Sequence, residues 1–385
     1  MKYILIFAKT AYSLTPFDIW LEGTGITPMI LMPAEFADGY RHLDHLHAFD
    51  NYDRNQLVEK TAFELGRQFS PIGIFAGAEA DAVRAAMVRE RLQIQGQKTT
   101  SALAYRNSFI MKNYLKPFGI ETPKYRLLTS ALDAIDFIEK NGYPVAVKPT
   151  NAAGTQILRE PRDLVKYLTQ PVQGEMEIES FVDGERYHVD GLILDGQTAF
   201  IHPFKYENES QGNKFLGSHT LAPENPLTPR LTEAARKVVG ALPATRNMAF
   251  HSEFWVTRHN RIVFCEIRSC TGGTLVRSLV EYSFGFNIDK TWLLAECGIF
   301  TEKDLRLRRF GGWMISPPQN GKLGFGEVPH NPLPDCVRDS QDCGTTRAGY
   351  IIKGNSEQEV RYNMDRTANW FAANSNCNLS EDATL

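Results

Sequence analysis

Residues 250–273 read FHSEFWVTRHNRIVFCEIRSCTGG. Two runs rich in aromatic and β-branched side chains, AFHSEFWV and RIVFCEI, flank the polar turn Thr257-Arg258-His259-Asn260, and this pattern predicts a β-hairpin. Each strand carries one acid, Glu253 and Glu266. A carboxylate in an apolar strand is costly to bury unless it is paired or bound to a cation. Two readings stand. Both acids face water on an outer sheet face, where glutamate is usually found. Or they converge on a hard cation such as Mg²⁺, which takes carboxylate oxygens together with substrate phosphates.

Around this hairpin lie 385 residues, enough for two or three domains. A hydrophobic share of 43% with 23% charged residues describes a soluble globular chain. The net charge of −3 argues against nucleic acid as a partner, and no apolar run approaches the roughly 20 residues of a membrane span. The start, MKYILIFAKT, reads as a first strand rather than a signal peptide, because its apolar run is short and no small-residue cleavage site follows. The six cysteines form no C-x-x-C pair, which predicts reduced thiols and a cytoplasmic protein. Cys265 reads as a small buried hydrophobe.

Upstream, residues 1–105 alternate strand and helix: Tyr3–Ala8, a short helix after Pro16 with Thr15 as a candidate cap, Thr27–Met32, a helix over Asn55–Phe69, Ile72–Ala76 and a helix over Glu79–Leu92. This order predicts a parallel α/β sheet. The turn after the first strand, Lys9-Thr10-Ala11-Tyr12-Ser13, lacks the glycines of a dinucleotide site. His42, His45 and His47 share no helix face or strand alternation, so they read as a solvated loop rather than a metal site.

From Asn107 the order is a helix to Leu115, an amphipathic helix over Ala131–Lys140, and the strand Tyr143-Pro144-Val145-Ala146-Val147-Lys148-Pro149. A lysine at a strand end before the small-residue loop Asn151-Ala152-Ala153-Gly154-Thr155 suits polyphosphate: the ammonium is a point charge and the loop supplies N–H groups. An ordinary hairpin with an exposed lysine is the alternative. Next comes Met176–Gly191, in which Glu179, Phe181 and Val182 make a candidate purine edge and Glu185 a candidate ribose acceptor.

Lys-strand and small-residue loop, then E-S-F-V-D-G-E, then a two-acid hairpin with E-I-x-x-x-x-G-G: in this order the motifs resemble the ATP-grasp superfamily, in its carboxylate–amine or carboxylate–thiol ligase branch. The resemblance spans nearly the whole chain. It implies an α/β fold with α+β lobes: an N-terminal parallel domain over 1–105, a nucleotide-binding region over 106–300 with a lid subdomain near 125–190, and a small α+β lobe over 301–385. It implies ATP and Mg²⁺. Lys148 would contact phosphates; Asn151, Ala153, Gly154 and Thr155 would cover them; Glu179, Ser180, Phe181 and Val182 would hold adenine, and Glu185 ribose. Trp255 would pack on the nucleotide, and Glu253 and Glu266 would bind the metal. The reaction would activate a small carboxylate as an acyl phosphate and pass it to an amine. A carrier-protein pantetheine thiol is the alternative acceptor, a nucleotide-binding homologue without catalysis is the alternative class, and a homodimer is an allowed assembly.

Three departures from the family pattern stand out. Arg106-Asn107-Ser108 replaces R-D-K, and Lys112 lies one helical turn further on. Arg268 occupies the place of the asparagine in E-x-N. Cys270 occupies the place of an arginine whose role Arg268 is expected to assume, so Arg268 joins Lys148 as a catalytic candidate. The polar segment His202–Ala222 is expected to be a substrate-facing loop, with Lys205, Lys214 and His219 as contacts and Arg277 facing the same cleft. Beyond residue 300, Gly311–Ile315, Gly321–Phe325 and Ala348–Lys353 read as strands and Glu357–Ala373 as a closing helix.

Overall fold

The computed structural model describes residues 1–152, 154–171, 174–207, 216–300, 305–315, 337–342 and 348–374. Its first strand, β1 (Lys2–Phe7), is buried on both faces: Ile4 and Ile6 face one core, Leu5 and Phe7 another. Double burial is the mark of a central parallel strand. After it come α1 (Phe17–Leu21), β2 (Ile26–Pro33), β3 (Leu46–Phe49), α2 (Leu57–Phe69), β4 (Gly73–Ala76) and α3 (Glu79–Leu92), which make a parallel sheet in the order β3-β2-β1-β4.

Two local expectations change here. Thr15 does not cap α1; its hydroxyl bonds to Thr10 and Tyr40 instead. And Leu46–Phe49, expected as loop, is the edge strand β3, held by backbone pairing to β2, which needs no apolar side chains. The three histidines diverge. His42 meets Asp18 at 3.0 Å, His45 packs its ring on Tyr3 and Phe69, and His47 Nε2 is buried without a partner.

Next, α4 (Thr99–Ala104) and α5 (Ser108–Leu115) cross to a second, antiparallel sheet; Asn107 caps α5 by accepting the Ile110 N–H at 2.9 Å. This sheet holds β5 (Tyr125–Leu128), β6 (Val145–Pro149), β7 (Gln156–Leu158) and β8 (Met176–Ser180) in the order β5-β8-β6-β7, with α6 (Ala131–Asn141) and α7 (Pro161–Leu168) between its strands. A Ser130/Asp133 capping box starts α6. Phe137, Val145, Val147, Leu158 and Ile178 form the core of this layer.

The third sheet has eight strands, ordered β13-β12-β9-β10-β11-β14-β16-β15. They are β9 (Gly184–Leu194), β10 (Gln197–Glu207), β11 (Leu216–Thr220), β12 (Met248–Thr257), β13 (Ile262–Arg268), β14 (Phe310–Ile315), β15 (Val337–Asp342) and β16 (Ala348–Gly354). Four helices accompany it: α8 (Leu227–Ala241), α9 (Thr274–Phe284), α10 (Ile288–Glu296) and α11 (Glu357–Asn374). The opening hairpin is β12–β13. Period-2 alternation divides the sheet. Tyr187, Val189, Phe250 and Phe254 pack one face against α5 and α8, while Leu192, Phe200 and Ala249 pack the other toward α9, α10 and the parallel sheet. Gly191 has to be glycine, since a Cβ there would lie 2.1 Å from the Phe250 ring.

The described residues of the segment His202–Ala222 are not a free loop. Its two arms are β10 and β11, paired with Lys205 opposite His219. Their polar side chains are satisfied inside the sheet rather than by water. Lys214 and the expected strand Gly321–Phe325 lie outside the described residues. Among the described residues no helix is long and apolar enough to cross a membrane.

Candidate active site

Two acid clusters and a cleft meet where the three layers join. The first cluster is on the second sheet. Glu177 and Glu179 are two residues apart on β8 and point to the same side. In the ladder Lys148 of β6 lies directly opposite Glu177. One helical turn apart on α5, Ser108 and Lys112 face the same acids. Lys112 Nζ is 2.7 Å from Glu177 and also contacts Glu179, while Lys148 Nζ is 3.1 Å from Glu179 and 3.7 Å from Glu177. The Ser108 hydroxyl donates to Glu177. Lys112, Glu177, Glu179 and Lys148 are all buried. Burial opposes the charge on Lys148, but Glu179 and Glu177 outweigh it and hold its pKa above the ordinary lysine value. Burial likewise opposes ionisation of Glu179, and Lys112 and Lys148 outweigh it, so its pKa is lowered.

The neighbouring residues frame this cluster. Asn151, Gly154 (φ +115°) and Thr155 are in the turn between β6 and β7; Ala153 is outside the described residues. Ser180 and Phe181 donate backbone N–H bonds to Lys124 and Pro144, and Phe181 exposes its ring. Val182 lies between β8 and β9. Glu185 opens β9 and takes Lys205 at 2.9 Å and the Tyr187 hydroxyl at 3.0 Å.

The second cluster is on the hairpin. Glu253 and Glu266 are direct partners across the β12–β13 ladder, beside a bulge. Arg186 meets Glu253 at 2.7 Å and Tyr206 donates to it at 2.8 Å. The Arg186 guanidinium also lies 5.4 Å from the Trp255 ring centre. Arg268 meets Glu266 at 2.9 Å, approaches Glu79 at 3.5 Å and donates to the Arg106 carbonyl at 2.5 Å. Burial opposes the charges on Glu253 and Arg268. His251 and Arg186 nonetheless lower the first pKa, and Glu266 and Glu79 raise the second.

Beneath the hairpin acids runs a chain of bonds. Ser218 meets His188 Nε2 at 2.6 Å, His188 Nδ1 meets Asp190 at 2.6 Å, Asp190 meets His251 Nδ1 at 2.8 Å, and His251 Nε2 meets the Tyr206 hydroxyl at 3.2 Å. His188, Asp190 and His251 form a group of metal-ligand types. Donors bound to one ion at about 2.0–2.2 Å stand roughly 3 Å or more apart, so contacts of 2.6 and 2.8 Å are hydrogen bonds. Burial opposes charge on His251, yet Asp190 and Glu253 raise its pKa to about 10, so the ring is an imidazolium between two carboxylates. Gly272 packs over that ring: a Cβ there would lie 3.0 Å from His251 Nδ1, which accounts for one glycine of the G-G pair.

The cleft has a volume of about 180 Å³ and lies between the carboxyl ends of β1 and β4 and the loop after β13. Lys9, Thr10, Glu79, Cys270, Thr271 and Arg277 line it. Arg277 meets Asp289 at 2.8 Å. Burial raises the Cys270 thiol to about 12, so it stays protonated at neutral pH.

The fold therefore pairs Lys148 with Glu179 on the second sheet and sets Glu253 opposite Glu266 on the third, with Arg268 linking Glu266 to Glu79 of the cleft. Arg277 and Cys270 are in the adjoining cleft. Lys205 and His219 do not line it: Lys205 is paired with Glu185, and His219 is fully buried, with Nε2 2.9 Å from Glu207. Sequence reading missed Lys9, Glu79, Glu177 and the His188–Asp190–His251 chain. A signal for the first two existed, since ligands bind beyond the carboxyl ends of parallel strands.

No family model matches the chain. The L-arginine-specific L-amino acid ligase of Bacillus subtilis is 24% identical over 310 residues, covering 76% of this chain and 72% of that protein. Multifunctional protein URA2 of Saccharomyces cerevisiae is 21% identical over 262 residues, covering 64% of this chain but only 12% of that protein. Among solved structures, the L-amino acid ligase from Bacillus licheniformis superposes with a TM-score of 0.77 at 17% identity over 97% of this chain and 98% of its own. The chain therefore has the fold of this ligase. A second solved structure, N5-carboxyaminoimidazole synthase from Aspergillus clavatus in complex with ADP and 5-aminoimidazole ribonucleotide, covers 97% of this chain and 99% of its own with a TM-score of 0.76 at 13% identity.

Proposed function

We propose that the chain is an ATP-dependent ligase. It activates a small carboxylate, an amino acid above all, as an acyl phosphate, and couples it to an amine with release of ADP and phosphate. The observation that carries this reading is the buried Lys148–Glu179 pair at 3.1 Å together with the opposed hairpin acids Glu253 and Glu266, which Arg268 links through Glu79 to a cleft of about 180 Å³. A polyphosphate needs the cation, a purine amine needs the acceptor, and a small acid needs an enclosed mixed-charge pocket. The ligase names of the relatives point the same way.

Glu253 and Glu266 would hold Mg²⁺. Their donors fit: both offer oxygens, from opposed positions on one ladder. When bound, the ion offsets phosphate charge. The chain's own cations share that work. Lys148 neutralises the transferred phosphoryl group. Arg268, reaching from Glu266 to Glu79, which lines the cleft, would contact the acyl phosphate, the role expected of it in place of position 270. Asn151–Thr155 would cover the phosphates and exclude water.

Arg186 and Tyr206 on Glu253, and Arg268 on Glu266, favour a second reading: a nucleotide-binding protein without turnover. One experiment separates the two. ADP release is followed while pools of amino acids are added pairwise, with mass spectrometry of the products. A dipeptide with stoichiometric ADP supports the ligase; nucleotide binding with no ADP from any pool leaves the second reading. A pantetheine thiol in the amine's place tests the carrier-protein acceptor.

A further inference from the structure

The nucleotide-site reading leaves Lys112 and Glu177 without a role. Both are fully buried, and they pair at 2.7 Å. Lys112 Nζ also contacts Glu179, and lies 5.4 Å from the Tyr125 ring centre. Glu177 takes the Ser108 hydroxyl as well. Two carboxyl groups on one strand face thus share two lysine side chains, and burial raises the Glu177 pKa against the pull of Lys112. The two lysines differ in freedom. Lys148 is the next-to-last residue of its strand, close to the turn that joins β6 to β7. Lys112 is enclosed by α5, β5 and β8 and has nowhere to go.

Resting on the nucleotide-site reading, we propose that Lys112 is a positioning residue for base selection. Wedged between Glu177 and Glu179, it keeps the Glu179 carboxylate ionised and aimed at the exocyclic amine of adenine once Lys148 turns to the phosphates. Without it, Glu179 would lose its cation at the moment a nucleotide draws Lys148 away. Two buried carboxylates with no fixed counter-charge would then repel, and the acceptor would move. Ser108 fits this arrangement: a hydroxyl, unlike a longer ammonium side chain, leaves the space beside Glu177 to Lys112. The consequence is specific. An ionised Glu179 accepts from the adenine amine and repels the carbonyl oxygen that hypoxanthine carries at the same place.

The test compares ADP with inosine diphosphate by titration calorimetry on the full chain. Lys112→Met alone strands Glu177, so Lys112→Met combined with Glu177→Gln is measured too; it removes the pair together and leaves Ser108 an acceptor. Wild type is expected to prefer ADP, and the double variant, folded by circular dichroism, to lose that preference about tenfold, the weight of one charge-assisted hydrogen bond. A merely structural role would weaken both nucleotides alike and leave their ratio unchanged. A double variant with the wild-type ratio overturns the inference, as does a wild type that binds both nucleotides equally while the nucleotide site itself stands. A wild type that binds neither removes the nucleotide site and the inference with it.

Discussion

The two acid pairs solve the same problem with different cations. Glu177 and Glu179 sit two apart on one strand and are held by lysines, Lys112 and Lys148. Glu253 and Glu266 sit opposite each other on two strands and are held by arginines, Arg186 and Arg268, with Tyr206 and His251 behind them. An ammonium is a compact point charge on a flexible stem and can be shared or released. A guanidinium is a planar fork that fixes the carboxylate it binds. The lysine-held pair combines one enclosed cation, Lys112, with one that can exchange partners, Lys148, and the arginine-held pair is built for fixed geometry at the hairpin.

The sharpest way to break the comparison is to neutralise the fixed pair. On the ligase reading, Glu266→Gln is expected to lower ADP release at least about 100-fold, because one of the two carboxylates that would hold the metal is gone and Arg268 loses one of its partners. Unchanged release would take the hairpin out of the mechanism. Lys148→Ala is expected to cost about 10²-fold in kcat/KM for ATP, read in the same assay; a smaller loss than for Arg268→Ala would mean that the arginine-held side carries the phosphate charge. On stability the order reverses. Lys112→Met leaves two buried carboxylates short of a cation and should lower unfolding stability by about 3–5 kcal/mol in urea. Arg186→Met, at a partly exposed pair, should cost about 1–2 kcal/mol. The most gradual effect is on pH. A raised His251 pKa stabilises the fold fully below the unfolded value near 6.5 and loses that contribution as pH rises toward about 10. Stability should therefore decline between those limits by at most about 1.4 kcal/mol per pH unit, and His251→Gln should flatten that decline.

How much of this was readable beforehand follows from where each partner lies along the chain. The β12–β13 hairpin, the parallel N-terminal layer and the glutamate positions follow from period-2 patterning and turn residues, which are local. Glu177 and Glu179 share a face by spacing alone, but the sequence contains nothing to say that Lys112, 65 residues before Glu177, is the cation between them. The polar arms of β10 and β11 looked like a loop because their polar side chains find partners only on pairing: Ser218 meets His188 of β9, and His219 meets Glu207 of the facing arm. Lys9 and Glu79 looked like ordinary residues after a strand until both strand ends opened on one cleft.

By itself, then, the sequence determined the order of layers, the acids of the hairpin and the Lys148 strand, since these depend on residues a few positions apart. Only the tertiary structure decided which cation each buried acid receives. That choice is made by electrostatics and desolvation between segments far apart in the chain, and a buried carboxylate takes whichever cation the packing delivers to it.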